Sequence, residues 1–364
     1  MQLYRLRILA IAATTLAQPF SFLHAAEWTW TGFFSFNYED DTRPGRSGSF
    51  DAYDLSIGAN VSLTERLRLV TQIDYEHAAY IDFVVNPDGT KDLDKRTSGE
   101  ITVSNAYAQY TFSKLLSIKG GKFFAPIGFY NQITYAVPTF PTLKIPQESV
   151  YKRRGTPQED SLFFQRYVTG AWVSGEADLG PGSLSYDAYL SNGRSFRQHV
   201  DDNDSKAVGG RLKYAVDKGQ VELCPLLSFY IDEYNSGSPA SPIWTKQRTV
   251  LPGIEIVWKD LTVRAELGRS RLSSMDGAAV RTSSAYYGEA HYTMRERFTP
   301  FVRHESYDPD SGSGRDRESE TVVGLAYHIE PWVAQVKMQV GRRDFESPDK
   351  DSYTLFGIGV ALGF

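Results

Sequence analysis

One cysteine, Cys224, occurs in 364 residues, so no intramolecular disulfide can staple the chain, and no cysteine stands near the N-terminus to carry a lipid anchor. Beyond the N-terminal leader no run of eighteen apolar residues occurs, which excludes a helical membrane span. The mean hydropathy of -0.36 excludes a polytopic helical protein in the same way. There is no basic excess: the formal charge is -5, near -7 once Arg5 and Arg7 of the leader are removed, and nothing in it suggests nucleic acid. Haem-attachment motifs, phosphate-binding glycine loops and calcium-loop spacings are missing too, and no cofactor is expected. Asp201-Asp202-Asn203-Asp204 and the run from Asp308 to Glu318 are acidic, but neither has ligand spacing, so both read as solvated loops.

Aromatics are plentiful, with 22 Tyr and 21 Phe, as suits strands and aromatic girdles at two membrane interfaces. Residues 1–26 read as a secretory leader: Arg5 and Arg7, then an apolar stretch from Ile8 to Leu16, then Ala25-Ala26. From 27 to 364 the dominant signal is alternation. In the last twelve residues Phe356, Ile358, Val360, Leu362 and Phe364 share one face, while Gly357, Gly359, Ala361 and Gly363 share the other. A terminal Phe after alternating apolar residues resembles the closing strand of bacterial outer-membrane barrels. At Leu261-Val263-Ala265-Leu267 the intervening residues are Thr262, Arg264 and Glu266. Turning that face outward would set Arg264 in hydrocarbon at a cost of about 2–4 kcal/mol near the midplane.

Short turns near residues 64–66, 113–114, 180–182, 217–219, 259–260, 295–296 and 330–331 alternate with longer polar loops. The fold class that follows is all-β: a transmembrane antiparallel β-barrel of about sixteen strands, with short periplasmic turns and long extracellular loops. The stretch from Leu115 to Phe124 breaks the pattern, because an outward Ile118 brings Lys122 outward as well. A bulge at Gly120-Gly121 is expected to reset the parity.

The longest connection, about 125–162, is expected to fold into the lumen and narrow it. Its basic cluster, Lys144, Lys152, Arg153 and Arg154, with Glu148 nearby, is the candidate constriction and would attract anions. Candidate pore-lining charges on the wall are Arg68, Asp74, Arg211, Lys213, Arg264, Glu266, Arg303 and Glu305. Lys119, Arg166, Lys337, Glu255 and Glu289 share those inward positions; wall charges of both signs leave selectivity open. A catalytic reading has Glu289 and His291 on one strand face and His304 beside Glu305, but no nucleophile completes a set.

Several local patterns are similar to the phosphate-selective porin O and P family. They are Gly121-Lys122-Phe123 with Pro126 and Gly128, Tyr186 through Asn192-Gly193, Gly210-Arg211-Leu212, and Arg264-Ala265-Glu266. The resemblance implies a homotrimeric sixteen-stranded barrel passing small hydrophilic solutes or inorganic anions, set in outer-membrane lipid and lipopolysaccharide. A ladder of pore-lining arginines has no counterpart here, so phosphate specificity is not implied. The other readings are a non-conducting barrel serving as adhesin or scaffold, and a barrel enzyme with His291 as base.

Overall fold

Strand-by-strand alternation closes into one wall. The computed structural model describes residues 26–45, 48–76, 83–85, 91–93, 100–133, 139–152, 162–194, 205–235, 243–275, 280–311, 316–330 and 333–364. The expected leader, Arg153-Arg154 and the acidic run 201–204 lie outside the described residues.

The strands are β1 (Glu27–Asp41), β2 (Ser49–Ser62), β3 (Leu67–Glu76), β4 (Phe83–Val85), β5 (Lys91–Leu93), β6 (Glu100–Ser113), β7 (Leu116–Phe124), β8 (Tyr167–Leu179) and β9 (Gly182–Ser191). They continue with β10 (Ala207–Asp217), β11 (Val221–Asn235), β12 (Trp244–Trp258), β13 (Leu261–Ser274), β14 (Val280–Tyr292), β15 (Phe298–Asp308), β16 (Glu318–Glu330), β17 (Ala334–Phe345) and β18 (Tyr353–Gly363). Sixteen of these form a closed barrel of antiparallel neighbours, while β4 and β5 pair separately as a small ribbon.

Closure is made by the two ends of the wall. Phe33 to Asp41 of β1 pair with Gly363 back to Leu355 of β18. The Gly32 amide donates to the Phe364 carbonyl at 2.8 Å, and the Phe364 amide returns the bond at 2.9 Å. Gly32 is required there, because a Cβ would sit 2.6 Å from the Ser56 carbonyl oxygen as well as against the Phe364 ring. Closure leaves no open edge, the condition for strands to cross hydrocarbon.

The outer face is apolar. Leu227, Phe229 and Ile231 of β11, Val263 and Leu267 of β13, and Phe356, Ile358 and Leu362 of β18 are all exposed, whereas their inward neighbours Ser228, Tyr230, Asp232 and Glu266 are buried. Short turns join strands at one rim. There Lys259, Arg295 and Glu296 adopt left-handed backbone (φ 52°, 51° and 59°), as tight hairpin connections require. The longer connections leave from the other rim.

The parity break is placed one strand earlier than the sequence suggests. Pairing of β7 with β6 and with β8 runs unbroken through Gly120 and Gly121, so no bulge lies there. The irregularity is in β6: Gln72 pairs with Asn105 but Ile73 with Val103, leaving Ser104 as the extra residue. Ile101 and Val103 therefore face out before it, and Tyr110 and Phe112 after it. Lys122 keeps the outward parity of Ile118, and its ammonium lies 5.5 Å from the Tyr167 ring centroid. The cation and the aromatic face supply what a bulge was expected to supply by reorientation.

Candidate functional site: the luminal loop and the wall around it

The described parts of the segment between β7 and β8, residues 125–133, 139–152 and 162–166, enter the barrel and pack on the inward faces of β10 to β18 and β1. It is held largely by polar anchors. The Gly128 amide donates to Ser228 Oγ at 3.1 Å, and the Phe129 amide to Glu266 Oε1 at 3.2 Å. Tyr151 donates to Glu266 Oε2 at 2.5 Å, while the Tyr130 amide donates to the same tyrosine oxygen at 2.9 Å. Tyr130 itself donates to Glu289. Gly128 is left-handed (φ 65°), and a Cβ there would lie 2.1 Å from the Tyr151 hydroxyl, so the turn into the lumen takes glycine on both counts.

Further along, the Leu143 amide donates to Gln339 Oε1 at 3.1 Å, and Lys337 donates to the Thr142 carbonyl at 2.9 Å. Arg303 donates to the Lys144 carbonyl at 2.8 Å, and the Glu148 amide to Glu305 Oε2 at 2.6 Å. At the far end Gln247 and Thr249 of β12 donate to the Phe163 carbonyl at 2.8 and 2.7 Å. Around these anchors Ile127, Tyr130, Val150, Tyr151, Phe163 and Phe164 are fully buried and form one core with Tyr230, Leu251 and Tyr287 of the wall. A barrel of this width otherwise has too few side chains to build an apolar centre. The loop supplies it.

The glycine row of β18 belongs to the same packing. A Cβ at Gly357 would lie 2.4 Å from Leu143 Cδ1, and one at Gly359 2.8 Å from Leu143 Cδ2. The small face of the last strand is the seat of the loop's leucine.

Ion pairs neutralise most of the expected constriction charges. Lys144 binds Glu39 at 2.7 Å; Lys152 binds Glu318 at 2.7 Å and also Glu148, which Arg343 reaches as well. On the wall Arg303 pairs with Glu305 at 3.0 Å, Arg211 with Asp187 at 2.9 Å, and Arg264 with Glu289 at 2.9 Å and with Glu255. Glu266 accepts from Tyr151, Phe129 and Tyr287 rather than from a cation. Asp74 is buried beside Gln72, whose amide donates to it at 2.9 Å. Lys213 lies on the inward face of β10, opposite Leu226.

Two cations differ. Arg68 of β3 donates to Gln109 at 2.7 and 3.1 Å. Lys119 of β7 has its ammonium 3.2 Å from the Trp172 ring centroid. Among the described residues neither has a carboxylate within ion-pairing distance. Arg68, Gln109, Lys119 and Trp172 are register partners in turn across β3, β6, β7 and β8, so they form one row around the wall, in which Gln109, Lys119 and Trp172 are buried and Trp172 joins the loop's core. Charge alone gives Lys119 no distinction in the sequence; its isolation from carboxylates emerges only when the strands are in register. The amide and hydroxyl anchors Ser228, Gln247, Thr249 and Gln339 escape sequence reasoning for a different cause, being uncharged inward positions like many others.

The same barrel occurs in solved structures. The anion-selective porin from Comamonas acidovorans superposes with a TM-score of 0.63 at 10% identity, over 93% of this chain and 100% of that one. The fold is that of an outer-membrane porin. OmpT, an outer membrane protein of Vibrio cholerae in its trimer form, gives 0.59 at 12% identity over 93% and 100% of the two chains. The outer membrane channel DcaP of Acinetobacter baumannii gives 0.56 at 13% over 94% and 98%. Identities this low carry the porin fold and nothing finer. No protein-family model matches the chain, and the resemblance to the phosphate-selective porins is not confirmed. An uncharacterized protein of Aquifex aeolicus (strain VF5) is 30% identical over 162 residues, 44% of this chain and 31% of that protein. The chain thus spans about a third of the length of the curated relative it matches.

Proposed function

We propose that this chain is a bacterial outer-membrane channel, exported by the leader at 1–26, through which small hydrophilic solutes and inorganic ions diffuse passively with a preference for anions. The observation that carries this reading is the asymmetry of the lumen. The loop's cations Lys144 and Lys152 are tied to carboxylates, whereas Arg68 of β3 and Lys119 of β7 have no acidic partner among the described residues. A solute passing between the two meets a surface with a net positive side, which favours anions by the field across the opening. The constriction residues proposed from the loop, Lys144, Glu148 and Lys152, then act chiefly as struts that hold it in place, and Arg68 and Lys119 act as the selective pair. Assembly as a homotrimer in lipid and lipopolysaccharide, as one of the porin-fold relatives is described in trimer form, completes the proposal.

Liposome swelling tests it. Vesicles containing the purified protein should swell in isosmotic solutions of small sugars and amino acids at a rate set by solute size. Vesicles that stay shrunken, despite heat-resistant folded protein in the membrane, would overturn the channel reading.

A second reading is favoured by one observation. The buried core of Tyr130, Tyr151, Phe163 and Phe164 occupies much of the barrel centre, as a plugged scaffold or adhesin would need. The swelling assay separates the two. A catalytic role has less to stand on: Glu289 is engaged by Arg264 and Tyr130, and His304 faces outward beside Tyr286, away from Glu305.

A further inference from the structure

We propose that Arg248, Arg269 and Arg271 form a binding site on the outside of the barrel for the phosphate groups of a phosphorylated glycolipid in the outer leaflet. The three side chains lie on the exposed, lipid-directed face of β12 and β13. Along β13 that face reads Leu261, Val263, Ala265 and Leu267, then Arg269 and Arg271. Eight residues separate Leu261 at the short-turn rim from Arg269, which at about 3.3 Å per residue and a tilt of about 40° is a rise of roughly 20 Å. An apolar band on such barrels is about 25 Å tall, so the guanidinium groups stand where hydrocarbon gives way to headgroups.

The register sharpens the case. Arg248 is directly opposite Arg271, and Arg269 is opposite Val250 on the same face. Like charges directly opposed on a sheet destabilise it unless a counter-charge intervenes. None is supplied by the wall: the flanking positions are Ile231 beside Arg248, Thr282 beside Arg271 and Ser284 beside Arg269. The acid on the neighbouring strand, Glu233, is taken by Lys246. Among the described residues no ion pair or hydrogen bond reaches the three guanidinium groups, although the outward Arg342 of β17 has Asp344 at 3.0 Å. Since the described residues supply no counter-charge, we look for it outside the chain, at headgroup depth. Phosphate is the group whose paired oxygens match a guanidinium fork.

Just below the arginines the wall is hollowed. A shallow apolar groove of 570 Å³ is lined by Ile254, Ala265, Leu267, Tyr286, Gly288 and His304. Space above Gly288 is open enough that an added Cβ would meet nothing within 4 Å. A slot for an acyl chain beneath a cluster of cations fits one ligand chemistry, phosphate joined to lipid. A free phosphate ion would leave the slot unused.

The test is a titration of the purified full chain in mild detergent with bisphosphorylated lipid A, with its dephosphorylated form, and with inorganic phosphate. The wild-type chain should bind the bisphosphorylated lipid about tenfold or more tightly than the dephosphorylated one, and millimolar phosphate should neither bind nor compete. The combined variant Arg248→Gln, Arg269→Gln, Arg271→Gln should lose that difference while keeping its heat-resistant folded form and its conductance, since the three side chains face away from the lumen. Equal binding of both lipids by the wild type overturns the proposal, whatever the variant does. So does an unchanged preference in a folded variant, or saturation by inorganic phosphate alone. If the variant does not fold, the comparison of the two lipids on the wild type decides. A protein that failed to conduct would leave this result untouched.

Discussion

A cation inside this barrel contributes to ion preference only when the protein does not already neutralise it. Lys152 stands in the basic cluster that draws attention in the sequence, yet Glu318 and Glu148 hold it. Lys119 stands alone in its strand and has an indole ring beneath it instead of a carboxylate. Replacing Arg68 and Lys119 together by Gln should therefore lower the anion-to-cation permeability ratio several-fold, measured as reversal potential in a salt gradient. Lys152→Gln should leave the ratio nearly unchanged, because Arg343 and Lys350 together still neutralise Glu148 and Glu318. The uncharged contacts also rank unequally. Tyr151 donates to a buried carboxylate and accepts from a loop amide, so Tyr151→Phe strands the Tyr130 amide and removes one of three donors to Glu266. A loss of about 1.5–3 kcal/mol of loop anchoring follows, seen as faster protease cleavage within residues 125–166 of the folded protein.

At the scale of strands and loops, inward and outward faces were readable because hydrocarbon penalises the wrong parity heavily. Arg264 and Glu266 of β13 and Lys337 of β17 lie inward, where alternation places them. The local exception was legible as a conflict in β7 but its resolution was not. Two glycines look like a bulge, whereas Ser104 in β6, with nothing distinctive about it, carries the extra residue. A bulge is a property of two paired strands, and one strand's residues do not reveal it. Deleting Ser104 should restore a regular ladder that keeps Ile101 and Val103 outward, so that the heat-resistant folded band on gels is retained. That the long connection enters the lumen could be argued from its length, but which wall it takes could not. The glycine row of β18 is the physical reason for part of its path, since only a bare backbone leaves room for Leu143. Gly359→Leu should keep the barrel folded while displacing Leu143, and the loop should become protease-sensitive as in Tyr151→Phe.

For the whole molecule, a porin-type barrel joins an apolar exterior to an interior of ion pairs, amides and one buried aromatic core. The barrel class was plain in the alternation, in the rhythm of short turns and long loops, and in the terminal Phe364. Its charge balance was not, because pairing depends on register across strands that are far apart in the chain. The loop's aromatic core rigidifies one side of the lumen and reaches Trp172, the end of the row that begins at Arg68. Single-channel recording of the purified protein in planar bilayers asks the central question directly. Discrete, long-lived conductance steps with a reversal potential displaced toward the anion equilibrium value are the predicted result. Inserted protein that yields no steps, or steps that select cations, would contradict it.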